Sequence, residues 1–300
     1  MGFFDNAQDM LGRGASAAQG VLDKGVSAAK GAVSGVAVEQ QLVMKNLVRL
    51  CADGWAAGWH QGFDGSVTVR MDDAEVAPCR PFFYDNPSSW VSMGVQDVRL
   101  AGAFIATTGL RTSMRNVAHD PARNIGIVEI NEQGDAWRIV WGLKDGGVPT
   151  AAFPQHFAAH AQHRVVYSCV PANVAAACLL LPGDAAAVTK ALWSALPQAM
   201  AVVPNGVALL DAPALAVGDV AAALDVRSAA VLSDGGVVVA GLTCDDAFAT
   251  AQALDKAAGV YVAARAANAG SDRFAGAPSA EQLLAWAKAH GVNVDESLLA

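Results

Sequence analysis

Three histidines, His156, His160 and His163, recur at i, i+4 and i+7 in the segment FPQHFAAHAQH. On a helix that spacing puts three imidazoles on one face, where a divalent metal could use them. Metal sites usually recruit a carboxylate or a cysteine as well, so packing and surface roles come first and a new metal site second. A second candidate is the Ser/Thr/Gly loop residues Thr107, Thr108 and Gly109, with Thr150. Backbone N–H groups and hydroxyls in such loops can line an anion pocket. The five cysteines, Cys51, Cys79, Cys169, Cys178 and Cys244, are scattered and form no CxxC pair. That usage implies buried free thiols in a reducing compartment rather than a disulfide framework.

These groups need elements to position them. The stretch HRVVYSCVPANVAAA, residues 163–177, reads as a strand over Arg164 to Cys169, a turn at Pro171 and an Ala-rich helix from Asn173. An amphipathic helix is expected from Val38, over VEQQLVMKNLVRLCADGW, with Leu42, Leu47, Leu50 and Cys51 near one face. The loop Phe63-Asp64-Gly65-Ser66 leads into a strand over Val67 to Met71. A hairpin is expected from strands Ile125 to Ile130 and Trp137 to Trp141, joined by Asn131 to Asp135 with Gly134 supplying the turn. The last segment predicts a helix with Ser279 as N-cap, an apolar face of Leu283, Leu284 and Ala287, and Gly291 as C-cap.

Residues 1–37 stand apart. An imperfect repeat, GASAAQGVLDK followed by GVSAAKGAVSG, has a length of 11 residues, which keeps one stripe nearly straight along a helix. Each glycine costs about 1 kcal/mol of helix propensity against alanine, so this segment is a weak helix unless it folds on a surface. It is expected to be a flexible leader or a docking and self-assembly element; lipid contact ranks last because only Arg13, Lys24 and Lys30 carry positive charge. For the rest, 300 residues that are 53% hydrophobic and 16% charged make a globular chain with a large core. A net charge of -8 without a basic stripe argues against nucleic acid. No signal pattern or bilayer-length apolar run stands out, so a cytoplasmic location is expected.

From residue 38 to the C-terminus the motifs resemble the class II (zinc-dependent) sugar-phosphate aldolases, most closely the rhamnulose-1-phosphate aldolase type. The resemblance is carried by DGWAAGWHQGFDGSVTVRMDD, by the Arg-Asn-Val and Asp-Pro-Ala steps with the hairpin after them, by the central strand–turn–helix, and by DGGVVVAGLTCDDAF. It implies one α/β domain over 38–300, a three-layer αβα arrangement around a largely antiparallel mixed sheet, and a tetramer-like homo-oligomer.

The same resemblance implies that the family's chemistry is missing. Where the family strand ends in His-x-His, this chain has Ser168 and Val170; the third metal histidine falls on Gly235. Ala152 stands at the place of the glutamate acid/base, and Ser194 at the place of a glutamate by the metal. The family's Asn-Gly-Gly-Asn phosphate loop reads Phe63-Asp64-Gly65-Ser66, and Gly65, Ser66, Thr108, Gly109 and Thr150 remain as a possible vestigial anion pocket. The expectation is therefore a protein without zinc, other cofactors or catalytic residues, used in structure or assembly through residues 1–37. The alternatives are a non-catalytic sugar- or phosphate-binding module, and a lyase related to rhamnulose-1-phosphate aldolase with an unrecognised site.

Overall fold

The computed structural model describes residues 37–300 except 182, 269, 272, 273 and 300. The expected leader, but for Ala37, lies outside the described residues. The chain divides into two compact units, the first ending at Val166 and the second beginning at Tyr167.

In the first unit helix α1 (Leu42–Ala56) buries Val43, Met44, Leu47, Leu50, Cys51 and Gly54, a three- and four-residue spacing that makes one stripe. Leu42 does not belong to that stripe, being 72% exposed. It opens the helix one step out of register with Val43 and Met44, which take the inward positions instead. Strands β1 (Ser66–Met71), β2 (Val91–Ser92), β3 (Phe104–Thr108), β4 (Ile125–Ile130) and β5 (Ala136–Gly142) follow, then helix α2 (Phe153–Ala159) and strand β6 (Val165–Cys169), within which the division falls. The strand order is β2-β5-β4-β3-β1-β6. The pairs β1–β3, β2–β5, β3–β4 and β4–β5 are antiparallel. The β4–β5 hairpin turns where expected: Gly134 has φ 70°, and a Cβ there would lie 2.2 Å from the Asp97 carbonyl oxygen. Ile105, Val128, Ile130, Trp137 and Ile139 from the sheet close on Phe153 and Phe157 of α2 in a single apolar cluster. That packing fixes the helix carrying His156.

The second unit contains helices α3 (Ala172–Leu180) and α4 (Ala185–Ala195), strand β7 (Val207–Leu210), helix α5 (Asp219–Val226), strands β8 (Ala229–Leu232) and β9 (Val237–Gly241), and helices α6 (Cys244–Ala267) and α7 (Ala280–Ala289). Its strand order is β6-β9-β8-β7. Strands β7 and β8 are parallel, the crossover between them containing α5, whereas β8 and β9 form an antiparallel hairpin. The sheet is thus mixed, as expected, and the fold is α/β. Helix α6 begins at a capping box made by Thr243 and Asp246, and α7 at one made by Ser279 and Gln282. Gly291, one residue past the C-cap His290, has φ 67°, the left-handed conformation that ends a helix.

Candidate functional site

In the first unit the expected anion-pocket residues come together around the end of β3. The Val67 N–H donates to Thr108 Oγ1 at 3.1 Å, and the Thr108 hydroxyl returns a bond to the Val67 carbonyl at 3.5 Å. The Thr150 N–H donates to the Thr108 carbonyl at 2.9 Å, and Gly109 bridges Pro149. Thr150 Oγ1 accepts from the N–H of Ala152, the N-cap of α2, at 3.4 Å. Ser66, Thr108 and Thr150 are all buried, and their hydroxyls have partners within the protein. Gly65, at φ 88°, makes the turn before β1, and the guanidinium of Arg111 lies 5.2 Å from the Phe63 ring centre in the same loop region. His60, buried just before that loop, donates from Nδ1 to the Asp64 carbonyl at 3.1 Å; burial holds its pKa down to about 4.

The three histidines do not share a helix face. Helix α2 ends at Ala159, His160 is its C-cap, and His163 lies beyond it on the way to β6. His156 and His160 are buried and meet across Thr68 of β1. Thr68 Oγ1 is 3.0 Å from His156 Nδ1 and 2.8 Å from His160 Nε2; Ser66 Oγ is 3.4 Å from His156 Nε2, and His160 Nδ1 is 3.1 Å from the His163 carbonyl.

One proton arrangement satisfies all of these contacts. A carbonyl only accepts, so His160 Nδ1 carries a proton and Nε2 accepts from the Thr68 hydroxyl. Thr68 Oγ1 then accepts from His156 Nδ1–H, and His156 Nε2 accepts from the Ser66 hydroxyl. Both rings are neutral, and burial lowers the pKa of each to about 3. Both ring nitrogens of His156 and of His160 are engaged, whereas His163 Nε2 is buried without a hydrogen-bond partner. Thr68 is the residue that the spacing argument misses. Its signal is in the strand alternation, which puts Ser66 and Thr68 on the same face of β1.

The residues that the sequence resemblance equates with the family's metal positions lie in the second unit. Ser168 is half-buried near the end of β6, and Val170, just past it, is 37% exposed. Pro171 offers α3 no side-chain cap; the carboxylate of Asp255, from α6, accepts the Asn173 N–H at 3.3 Å instead. Gly235 sits in the β8–β9 turn at φ 88°, its N–H donating to the Leu232 carbonyl at 2.9 Å. A Cβ at Gly235 would lie 2.5 Å from the Cβ and 3.0 Å from the Cα of Ala175 in α3. Ser194 is half-buried on α4. Neither Val170 nor Gly235 has a donor atom in its side chain, and a serine hydroxyl is not among zinc's usual ligands, so these positions do not fit a zinc ion. Among the described residues, no group of three or more His, Cys, Asp or Glu could hold a metal ion.

The cysteines are thiols outside any disulfide: Cys51, Cys79, Cys169 and Cys244 are buried, and Cys178 is half-buried. Burial raises the Cys169 thiol, and burial beside Glu75 raises Cys79 to about 11, so neither is a poised thiolate. Among the described residues no helix is long and apolar enough to cross a membrane.

Rhamnulose-1-phosphate aldolase from Escherichia coli K12 is 29% identical over 275 residues, spanning 88% of this chain and 98% of that protein. Its counterpart from E. coli O139:H28 is 28% identical over the same span. Among solved structures, a sugar-phosphate aldolase from Thermotoga maritima superposes with a TM-score of 0.63 at 17% identity, covering 77% of this chain and 99% of that one. An L-fuculose 1-phosphate aldolase gives 0.53 at 15% identity, covering 83% and 96%. At those identities the superpositions establish the fold alone. The family described as Class II Aldolase and Adducin N-terminal domain matches residues 45–262, most of the chain. This chain belongs to the class II aldolase and adducin N-terminal domain family.

Proposed function

We propose that this chain is a non-catalytic member of its family, a cytoplasmic homo-oligomer serving a structural or assembly role through residues 1–37. The observation that carries the reading is Gly235. Its left-handed backbone and its contact with Ala175 leave no room for the ligand side chain that the family pattern puts there. Ser168 and Val170 lack imidazoles at the two companion positions, Ser194 lacks a carboxylate, and Ala152 cannot exchange a proton. Loss of a general base alone typically forfeits roughly two to four orders of magnitude in rate. The inward hydrogen bonds of Ser66, Thr108 and Thr150 weigh against the sugar- or phosphate-binding alternative. On this reading Gly65, Ser66, Thr108, Gly109 and Thr150 serve as turns and bridges.

A second reading, a lyase acting on a ketose 1-phosphate through another set of groups, is favoured by one observation. Proteins named rhamnulose-1-phosphate aldolase remain 28–29% identical across 88% of this chain. Two measurements on the purified full-length protein separate the readings: zinc per chain after exhaustive dialysis, and aldol cleavage of ketose 1-phosphates. The proposal expects no stoichiometric zinc and no cleavage. Cleavage above the no-protein background, or zinc near one per chain, overturns it in favour of the lyase.

A further inference from the structure

The segment after helix α7 is held to the second unit mainly by side chains. Residues 292–299 leave the helix at Gly291, whose left-handed φ of 67° turns the chain and whose missing Cβ would face open space. They close in a 3-10 turn, Glu296–Leu299. Asp295 organises that turn: its Oδ1 accepts the Ser297 N–H at 3.1 Å and the Ser297 hydroxyl at 2.5 Å. The other oxygen, Oδ2, accepts from Arg227 Nη1 at 2.8 Å, and the same nitrogen donates to the Asn205 carbonyl at 2.8 Å. The bonds from Ser297 and Arg227 hold the Asp295 carboxyl below its ordinary value, so it carries its charge.

Two leucines complete the attachment, Leu298 and Leu299, both buried. Leu298 rests on Gly206, where a Cβ would lie 2.7 Å from Leu298 Cδ1 and 2.7 Å from Thr189 Oγ1. The Leu299 carbonyl accepts from Lys190 Nζ of α4 at 3.1 Å. The backbone itself is joined lightly. Among the described residues, one backbone hydrogen bond links residues 293–299 to the rest of the second unit, from the Asp295 N–H to the Pro204 carbonyl at 3.1 Å. A segment attached in this way opens at a lower free-energy cost than the paired strands of the same unit.

We propose that Arg227 and Asp295 form an ionic latch on residues 292–299, which open as a unit and bare Leu298, Leu299 and the Gly206 surface while strand β8 stays folded. The latch belongs to the fold and stands apart from the assembly role proposed above. Arg227 suits it on two counts. Its backbone is fixed, as the C-cap of α5 with its N–H donating to the Ala223 carbonyl at 2.8 Å. Its guanidinium touches both halves of the contact, Asn205 in the turn before β7 and Asp295 in the segment. Both charged side chains are partly exposed, so salt weakens the pair.

The test is hydrogen–deuterium exchange of the full-length protein at pH 7, read by mass spectrometry on the peptides covering residues 292–299 and strand β8. In the unaltered protein the 292–299 amides are expected to exchange at least about tenfold faster than those of β8. Raising sodium chloride from about 0.05 to about 0.5 M is expected to speed them roughly two- to fivefold. Arg227→Ala and Asp295→Asn are each expected to give a similar acceleration, with β8 unchanged and the salt effect gone. Asparagine keeps an oxygen for Ser297, so that variant isolates the charge. The double variant is expected to exceed either single one by less than about 1.5-fold, since both remove the same contact.

Single effects that multiply in the double variant, or a salt effect that persists in Asp295→Asn, overturn the latch. Exchange of residues 292–299 and β8 at one common rate overturns the independent opening. Should Arg227→Ala destabilise β8, the salt dependence of the unaltered protein against that of Asp295→Asn decides alone.

Discussion

Gly235 and Ala175 are packed so closely that a Cβ on the glycine would start 2.5 Å from the alanine's own Cβ. The glycine lies in the turn between β8 and β9, the alanine in α3, and the contact binds the hairpin to the helix. Two penalties therefore meet any substitution. The left-handed φ of 88° costs a non-glycine residue about 1–2 kcal/mol, and displacing a packed helix backbone adds roughly 1–3 kcal/mol. Gly235→Ala is expected to lower stability by about 2–5 kcal/mol in urea titration. A loss under about 0.5 kcal/mol would mean that the turn relaxes freely.

Placing histidines at the three positions that the sequence resemblance equates with metal ligands tests the same contact differently. The triple variant Ser168→His, Val170→His, Gly235→His would recover zinc if the backbone still aimed all three side chains. With Ala175 in the way it is expected to be destabilised and to hold no zinc through dialysis. Stoichiometric zinc in that variant would count against the occlusion argument and would show that α3 gives way.

Much of this was legible in the residues. β-branched strand sequences, the Gly134 turn and the Ser279 cap announce themselves through local chemistry, and the structure has them within a residue or two. The strand–turn–helix around Pro171 was also readable, because alternation and an Ala-rich run leave few alternatives. Two features were not. The i, i+4, i+7 spacing of the histidines presupposes a helix through His163, but α2 stops at Ala159, and only tertiary contacts decide which way each ring turns. Likewise Asp-Gly-Gly is a plain turn signal, while the reason Gly235 admits no side chain lies in Ala175, sixty residues earlier. Local sequence shows a turn's type and not what packs against it.

Asp255 caps a helix that has no cap of its own. Pro171 contributes no side-chain acceptor to α3, and the Asn173 N–H is taken by the Asp255 carboxylate at 3.3 Å. Asp255→Ala removes that acceptor and is expected to cost about 1 kcal/mol. Asp255→Asn keeps a carbonyl oxygen at the position and is expected to recover at least half of the loss. Equal stabilities for the alanine and asparagine variants would show that the contact contributes nothing as a cap.

Thr68 holds two imidazoles with one hydroxyl. Thr68→Val keeps the shape and removes both contacts, leaving His156 Nδ1 and His160 Nε2 buried without that partner. Each such group costs about 1–3 kcal/mol, so the variant is expected to be less stable by roughly 2–6 kcal/mol. Thr68→Ser retains the hydroxyl and should fall well short of that loss, the missing methyl accounting for about 1 kcal/mol. A valine variant as stable as the serine one would remove the hydroxyl's role.

The same network sets an acid limit on the fold. His156 and His160 are held neutral by burial, with folded-state pKa values of about 3 against 6.5 in a solvated chain. The unfolded chain therefore takes up protons that the folded chain refuses. Their contribution is complete above about pH 6.5 and is lost progressively as the pH falls toward 3, at about 1.4 kcal/mol per pH unit for each ring and about 2.8 for the pair. Other titrating groups add their own slopes, so the difference between variants is the informative quantity. His160→Gln is expected to be less stable than the unaltered protein at pH 7, because the Thr68 and His163 contacts are disturbed. Its stability should nevertheless decline less steeply between pH 6 and pH 4, by about one proton's worth, which urea titrations at pH 6, 5 and 4 resolve. Parallel declines for the two proteins would mean that His160 already carries its proton in the folded state, and the proton arrangement running from Ser66 through Thr68 to His163 would be wrong.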